Sequence, residues 1–404
     1  MSLPNIGVAV NDLASPATAL ALPQQVHVAV VGAGPTGLTL ACTLQQAGLD
    51  VLVVDQAPEG TNDSRAAVVH ARTLEILEPL DVTRRMLAEG RVVPMFTVRD
   101  RRRVLARIDF AGLPSRYPYT LMLPQSQTER ILTTRLVELG GQVHRPYTAT
   151  GVSPTDRDAV LAVTGPDQAH HTVQARYVVG ADGMHSTIRQ AAGIGFTGGR
   201  YPQSFILADV RMEWPLPLTE VQLFFSAAGL VVVAPLPGDR HRVVATMDPA
   251  PELITVQLVQ SLLDERGPGA ALVHDLVWGS RFQVHHRVAE RYQSGPLLIA
   301  GDAAHVHSPA GGQGMNTGIQ DAADLGHTLS DILINHRPDS LLDGYQQRRR
   351  PVARQVVNIT DRATRIATLT NPAARIARNN AIRIIGHLPP ARRRVALQLA
   401  ELTG

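Results

Sequence analysis

Three glycine-rich stretches carry residue types that can hold a nucleotide: Gly32-Ala33-Gly34-Pro35-Thr36-Gly37, Gly180-Ala181-Asp182-Gly183, and the run from Gly301-Asp302 through Pro309, Gly311, Gly312 and Gly314 to Met315 and Asn316. In the first, Gly32 allows a tight turn, Gly34 lets the backbone approach a pyrophosphate, and Gly37 lets a helix close on the preceding strand. Pro35 suits a first helical turn, where a missing N–H costs nothing. With Thr36 it opens a helix whose free N–H groups and positive dipole end attract phosphate. Asp55 stands 18 residues beyond Gly37, close to the roughly 20 expected of an acid that binds ribose hydroxyls.

The fingerprint alone leaves FAD and NAD(P) open. The third stretch favours a flavin. Asp302 can accept a ribityl hydroxyl, and a helix opening near Met315 would face the electron-rich pyrimidine edge and favour an anionic reduced ring. Asp182, on a glycine turn between a buried strand and a helix start, is placed to contact a cofactor. Arg65 and Arg72 follow the second strand. They suit phosphate by bidentate charge-assisted bonding, and equally suit an exposed surface.

The apolar run Val26–Val31, a helix to Gly48 and a second apolar run ending at Asp55 form a βαβ unit. A helix is expected near Ala71. Residues 91–110 alternate about Arg99–Arg103, as in a charged hairpin. A strand, a turn carrying Gln125 and a helix follow to Leu139, and Arg176–Val179 reads as a strand. Residues 199–295 are strand-rich, with Ser204–Arg211, Val221–Phe225, Leu230–Ala234 and Arg242–Asp248 as strands and a helix over Ile254–Glu265. The predicted organisation is an α/β protein. A disordered extension spans 1–25, a Rossmann-like dinucleotide-binding domain 26–198 and 296–340, an inserted mostly antiparallel β-sheet substrate domain 199–295, and helices 341–404. The last segment reads as an amphipathic cover with a solvated basic face.

Composition excludes several chemistries. All 38 basic residues are arginine, so no lysine Schiff base or P-loop lysine exists. A single cysteine, Cys42, excludes intrachain disulfides, a CxxC redox pair and a cysteine-based zinc site. No metal site is expected. A formal charge of +3 gives no case for nucleic acid. No apolar stretch is long enough to span a membrane, and the N-terminus lacks the basic region of a signal peptide. The expectation is a cytoplasmic protein without a membrane or nucleic-acid partner.

GAGPTG, GADGMHSTIR and GDAAHVHSPAGGQGMNTG occur in the order and spacing of the class A FAD-dependent monooxygenases. The chain resembles that family's para-hydroxybenzoate hydroxylase-like fold over residues 26–360, in the branch with phenol, polyketide and tetracycline hydroxylases. The resemblance implies that Gly32, Gly34 and Gly37 hold the FAD pyrophosphate and Asp55 the adenosine ribose. Arg65 and Gln125 would contact FAD, Asp182 and Gly183 would serve FAD and NAD(P)H, and Asp302 would bind the ribityl chain. Pro309 and Gly311 to Asn316 would lie beside the isoalloxazine. It further implies reduction by NAD(P)H and oxygen transfer from O2 through a C4a-hydroperoxyflavin to an aromatic or polycyclic phenolic molecule, in a monomer or homodimer. The family has no universal catalytic side chain.

Phe224, Phe225, Val232, Ala234, Thr246 and Pro309 are candidates to line a pocket between the inserted sheet and the flavin, and core packing is the competing fate of each. His241 and Arg242 read as exposed at a turn. Many relatives carry a C-terminal thioredoxin-like domain; the sixty or so residues after the FAD-domain helices leave room for helices rather than that domain. An FAD-dependent reductase or a silent flavoprotein are the rival functions. A flavin halogenase is opposed by the missing lysine and by the separation of Trp214 and Trp278.

Overall fold

The computed structural model describes residues 22–60, 66–369 and 371–403. Arg65 and most of the N-terminal extension lie outside the described residues. Five strands run parallel in the order Val143–His144, Val51–Val54, Gln25–Val31, His170–Gly180 and Leu297–Ile299. The three central ones are Val-rich and buried on both faces, as strands covered by helices must be. Their register is the decisive fact for function. Val31 pairs with both Val54 and Gly180, and Gly180 pairs with Ile299. The carboxyl ends of four strands therefore stop at one level. Immediately beyond lie Gly32, Asp55, Asp182 and Asp302. The chain order reverses direction about Gln25–Val31, and such a switch point opens a crevice at the carboxyl edge.

The helices Pro35–Gln46 and Gly314–Leu333 pack against each other closely because glycine faces threonine. A Cβ on Gly318 would lie 2.4 Å from the Thr36 Oγ1, and one on Gly326 2.7 Å from the Thr43 Cγ2. The crossing brings both helix N-termini to the same edge of the sheet.

A second sheet has the order His305–Val306, Leu272–Ala289, Phe196–Glu213, Arg240–Met247, Gly229–Leu236, Glu220–Ser226, Met95–Asp100 and Arg103–Asp109. All its pairings are antiparallel except Glu220–Ser226 on Met95–Asp100. It is therefore not confined to residues 199–295. The hairpin 95–109 joins it because Phe96 and Val98 complete the apolar face begun by Val221 and Leu223. The described chain also begins before the expected boundary, since the first strand starts at Gln25. One face of the second sheet is closed by the helix Val256–Arg266, whose Val259, Leu262 and Leu263 pack on Ile206, Ala208, Phe224 and Val233. On the opposite face Leu223 and Val232 pack with Ala67 and Val68, and Val68 in turn lies against Gly312. The two sheets are joined where His305 and Val306 pair with Val288 and Arg287.

Candidate cofactor site

At the first glycine turn, Gly32 adopts φ +104°, which an L side chain rarely takes. Gly37 is tighter still: a Cβ there would lie 1.9 Å from the Gly32 carbonyl oxygen. Gly34 is different, because a Cβ would meet nothing within 4 Å. That opening sits at the start of the Pro35–Gln46 helix, where N–H groups have no helical acceptor. Packing explains the glycines at 32 and 37. At 34 the free space is of the kind a ligand occupies.

Asp55 latches this turn. Its Oδ2 accepts from the Ala33 N–H at 2.6 Å, and its Oδ1 accepts from the Ala57 N–H at 2.8 Å and from Arg145 at 2.9 Å. Arg145 also donates to the carbonyls of Ala33, Ala57 and Glu59. One guanidinium thus braces the whole turn. No local pattern marks Arg145, which follows a strand of only two residues. Gln125 lies beside the segment after the second strand: its Oε1 faces the Ala66 N–H at 3.4 Å, and its own N–H donates to the Ala66 carbonyl. Arg72 instead pairs with Glu75 at 3.0 Å on the surface.

Asp182 plays a double part. Its Oδ2 accepts from the N–H groups of Thr187 and Ile188, fixing the next helix, while its Oδ1 is buried without a hydrogen-bond partner among the described residues. Burial raises its pKa above the ordinary carboxylate value, against opposing hydrogen bonds. Gly183, at φ +78°, opens onto free space. Arg189, 5% exposed, donates to the carbonyls of Met184 and Ala303 and stacks 4.0 Å from the Phe196 ring centroid. It thereby ties the second glycine motif to the third.

In the third motif, Gly301 (φ +61°) packs on Thr36, and Asp302 next to it is exposed at the strand end. Beneath them lies a buried ionic cluster. Asp321 faces His305 Nε2 at 2.5 Å and accepts from Arg349 Nε at 2.7 Å. Burial would raise the Asp321 pKa, but His305 and Arg349 outweigh it and hold the carboxyl low.

The loop 309–314 is held from below. Asn316 accepts from the His70 N–H and donates to the carbonyls of Val68 and Gly312. The His70 Nε2 contacts the Gly311 carbonyl at 2.8 Å. Burial lowers the His70 pKa to about 4, so the ring is neutral and its Nε2–H donates. The Asn316 amide thus bonds to backbone on either side of the loop, and Thr36 packs over Gly301 and Gly318. Met315 packs on the main core. Gly311, Gly312 and Gly314 form the loop, with positive φ at the first two, and Pro309 is exposed.

The expected pocket residues divide. Phe225 and Val232 are half-buried on the sheet face opposite the Val256–Arg266 helix. Phe224, one residue out of phase, points the other way and packs edge-on against Trp214 in the core. Ala234 is core beside Phe96 and Ala396. Thr246 Oγ1 accepts from the Leu230 N–H at 3.0 Å. His241 and Arg242 are not exposed. Both are buried strand residues, and Arg242 makes a two-point pair with Asp209 at 2.7 and 2.8 Å. The turn expected at His241 and Arg242 falls earlier, since the strand already starts at Arg240.

The fold and this edge define a nucleotide-binding α/β protein whose cradle fits FAD: free space over Gly34 and Gly183, two helix N-termini, and carboxylates at three strand ends. Residues 25–360 match the family model described as FAD binding domain, and the chain belongs to that family of FAD-dependent monooxygenases. It is 37% identical over 376 residues to the 6-methylpretetramide 4-monooxygenase of Streptomyces rimosus, covering 91% of this chain and 67% of that one. A rifampicin monooxygenase of Streptomyces venezuelae is 34% identical over 351 residues, covering 82% and 70%. The solved structure of OxyS anhydrotetracycline hydroxylase from Streptomyces rimosus superposes with a TM-score of 0.80 at 34% identity, covering 94% and 76%.

Proposed function

We propose that the chain uses NAD(P)H and O2 to hydroxylate an aromatic or polycyclic phenolic molecule. The observation that carries this reading is the common level of the four strand ends, which gathers all three glycine motifs at one edge facing the second sheet. FAD, when bound, supplies hydride acceptance and oxygen activation. The residues of the chain supply position. Gly34 and the Pro35–Gln46 N-terminus would hold the pyrophosphate, Asp55 the adenosine ribose, Asp302 the ribityl chain, and the 309–314 loop the ring. Asp182 and Gly183 would serve the dinucleotide and the cosubstrate, and Arg65 and Gln125 would flank the phosphates. Residues 26–198 and 296–340 would form the FAD domain. The substrate would sit on the sheet formed by residues 199–295 and the 95–109 hairpin, against Phe225, Val232 and Pro309.

Every motif comes from one chain, so each site is complete in a monomer or in each half of a homodimer. A requirement for NAD(P)H would favour a cytoplasmic location. The test is NADPH and NADH oxidation by the FAD-loaded protein with a panel of phenols and polycyclic antibiotics, with product mass read out. A ligand that accelerates oxidation and gains one oxygen atom supports the reading. Products that never gain oxygen would favour the rival reductase.

A further inference from the structure

The helix Pro372–His387 has its amphipathic faces reversed. Ile376 is 65% exposed, Ile384 61%, Ile385 48% and Leu388 51%. With Ala373, Ala377 and Ala381, also exposed, they recur at helical spacing along one outward face. The arginines turn inward. Arg378 is buried, donates to the carbonyls of Phe225, Ile366 and Ala367, and lies 5.0 Å over the Phe225 ring. Arg375 donates to the Ala227 carbonyl. The solvated basic face expected for this helix is therefore a solvated apolar face. Gly386 fixes the orientation, since a Cβ there would lie 2.6 Å from the Ala106 Cβ. Ile366, in the last turn of the preceding helix, and Leu369, just beyond it, are also exposed.

Charge identifies what meets this face. Residues 362–400 contain eight arginines and no aspartate or glutamate. Five of the eight are exposed: Arg362, Arg365, which pairs with Asp361 at 2.9 Å, and Arg392 to Arg394 just past the exposed His387-Leu388-Pro389-Pro390 elbow. A second copy of the chain would set the same basic segment against itself, since a two-fold interface pairs a patch with its own image. An anionic lipid surface offers both complements: acyl chains for the isoleucines and headgroup charge for the arginines.

We propose that the Pro372–His387 helix docks the protein peripherally on an anionic membrane surface, its isoleucine face at the headgroup boundary and Arg392 to Arg394 on the lipid phosphates. No described helix is long and apolar enough to cross a membrane, and this contact requires none. The proposal replaces the expectation of no membrane partner and is independent of the substrate.

The test is flotation of the full, FAD-loaded chain with vesicles of phosphatidylcholine alone or mixed equally with phosphatidylglycerol. The expected result is capture by the anionic vesicles only, weakening as salt rises. An I376S/I384S variant should lose at least about tenfold in partition, with FAD content and Tm unchanged, because neither side chain packs inside the protein. R392Q/R393Q/R394Q should remove the preference for the anionic vesicles. Absence of capture at low salt would overturn the proposal. So would undiminished capture of I376S/I384S, or wild-type dimers in light scattering that this variant renders monomeric, which would give the face to a second copy.

Discussion

The Arg189 guanidinium donates to the Ala303 carbonyl at 2.9 Å and, on its other side, to the Met184 carbonyl at 2.8 Å. Residues more than a hundred positions apart are thereby set at a fixed separation, one beside Gly183 and the other beside Asp302. Replacing Arg189 with Met keeps length and loses both bonds. Hydrogen bonds from a charged donor contribute about 1.5–3 kcal/mol each, and part of that loss falls on cofactor affinity. FAD Kd, measured by fluorescence quenching, should rise at least about tenfold. Lys should rescue little, because one ammonium cannot span two divergent carbonyls and stack on Phe196.

Gly34 and Gly37 give opposite outcomes from similar substitutions. Gly37→Ala drives a methyl into the Gly32 carbonyl at 1.9 Å, so the apoprotein should lose several kcal/mol, on the order of 3 or more, in urea unfolding. Gly34→Val places its Cβ in open space within the protein. Its apoprotein Tm should stay within about 2 °C of wild type, while FAD is no longer retained on gel filtration. A Gly34→Val chain that still binds FAD would place the pyrophosphate elsewhere.

These contrasts mark what the sequence made legible. Glycine spacing located the turns at the carboxyl edge of the sheet because a close backbone approach excludes every other residue type, and the Val-rich strands were readable because both faces are buried. The partners that fix the edge were not readable. Arg145 reaches Asp55 from 90 positions away, and Arg349 reaches Asp321 from the following helix, 28 positions on. Nothing in local patterning marks an arginine that will be buried. The strand Leu272–Ala289 was missed because its residues are half-buried on both sides and show no alternation. Phe224 and Phe225 show the limit of alternation itself: the period was right, but which phase faced the core depended on where the Val256–Arg266 helix packed.

The 309–314 loop should loosen in mild acid. The His70 pKa falls from 6.5 to about 4 in the fold because burial opposes its charged form. A depressed histidine contributes stability that is complete above pH 6.5 and is lost as pH falls toward 4. His241 and His307 are lowered to about 4 by burial as well. Each adds up to about 1.4 kcal/mol per pH unit to the slope within that window. His70→Gln can still donate to Gly311 and does not titrate. The variant should show a shallower fall in Tm between pH 6.5 and 4.5 and retain FAD to a lower pH. An unchanged slope would mean that His70 is not held neutral.

Glu401 predicts the opposite trend at high pH. Its carboxyl lies against Thr317 and Gln320 of the Gly314–Leu333 helix, while the adjacent Leu399 carbonyl accepts from Gln313 and the Ala400 carbonyl from the Arg72 N–H. The chain here straps the 309–314 loop, with the Leu399 side chain over Gly311. Burial raises the Glu401 pKa from 4.5 to about 8. A raised folded-state pKa means that the native protein binds the extra proton, so the contribution is complete below pH 4.5 and is lost as pH rises through 8. Glu401→Gln keeps the shape and removes the titration. At pH 9 the variant should melt roughly 2 °C or more above wild type and release FAD more slowly. Below pH 5 the two should coincide. Equal melting at pH 9 would show that the carboxylate ionises in the fold without cost and that the strap does not sense it.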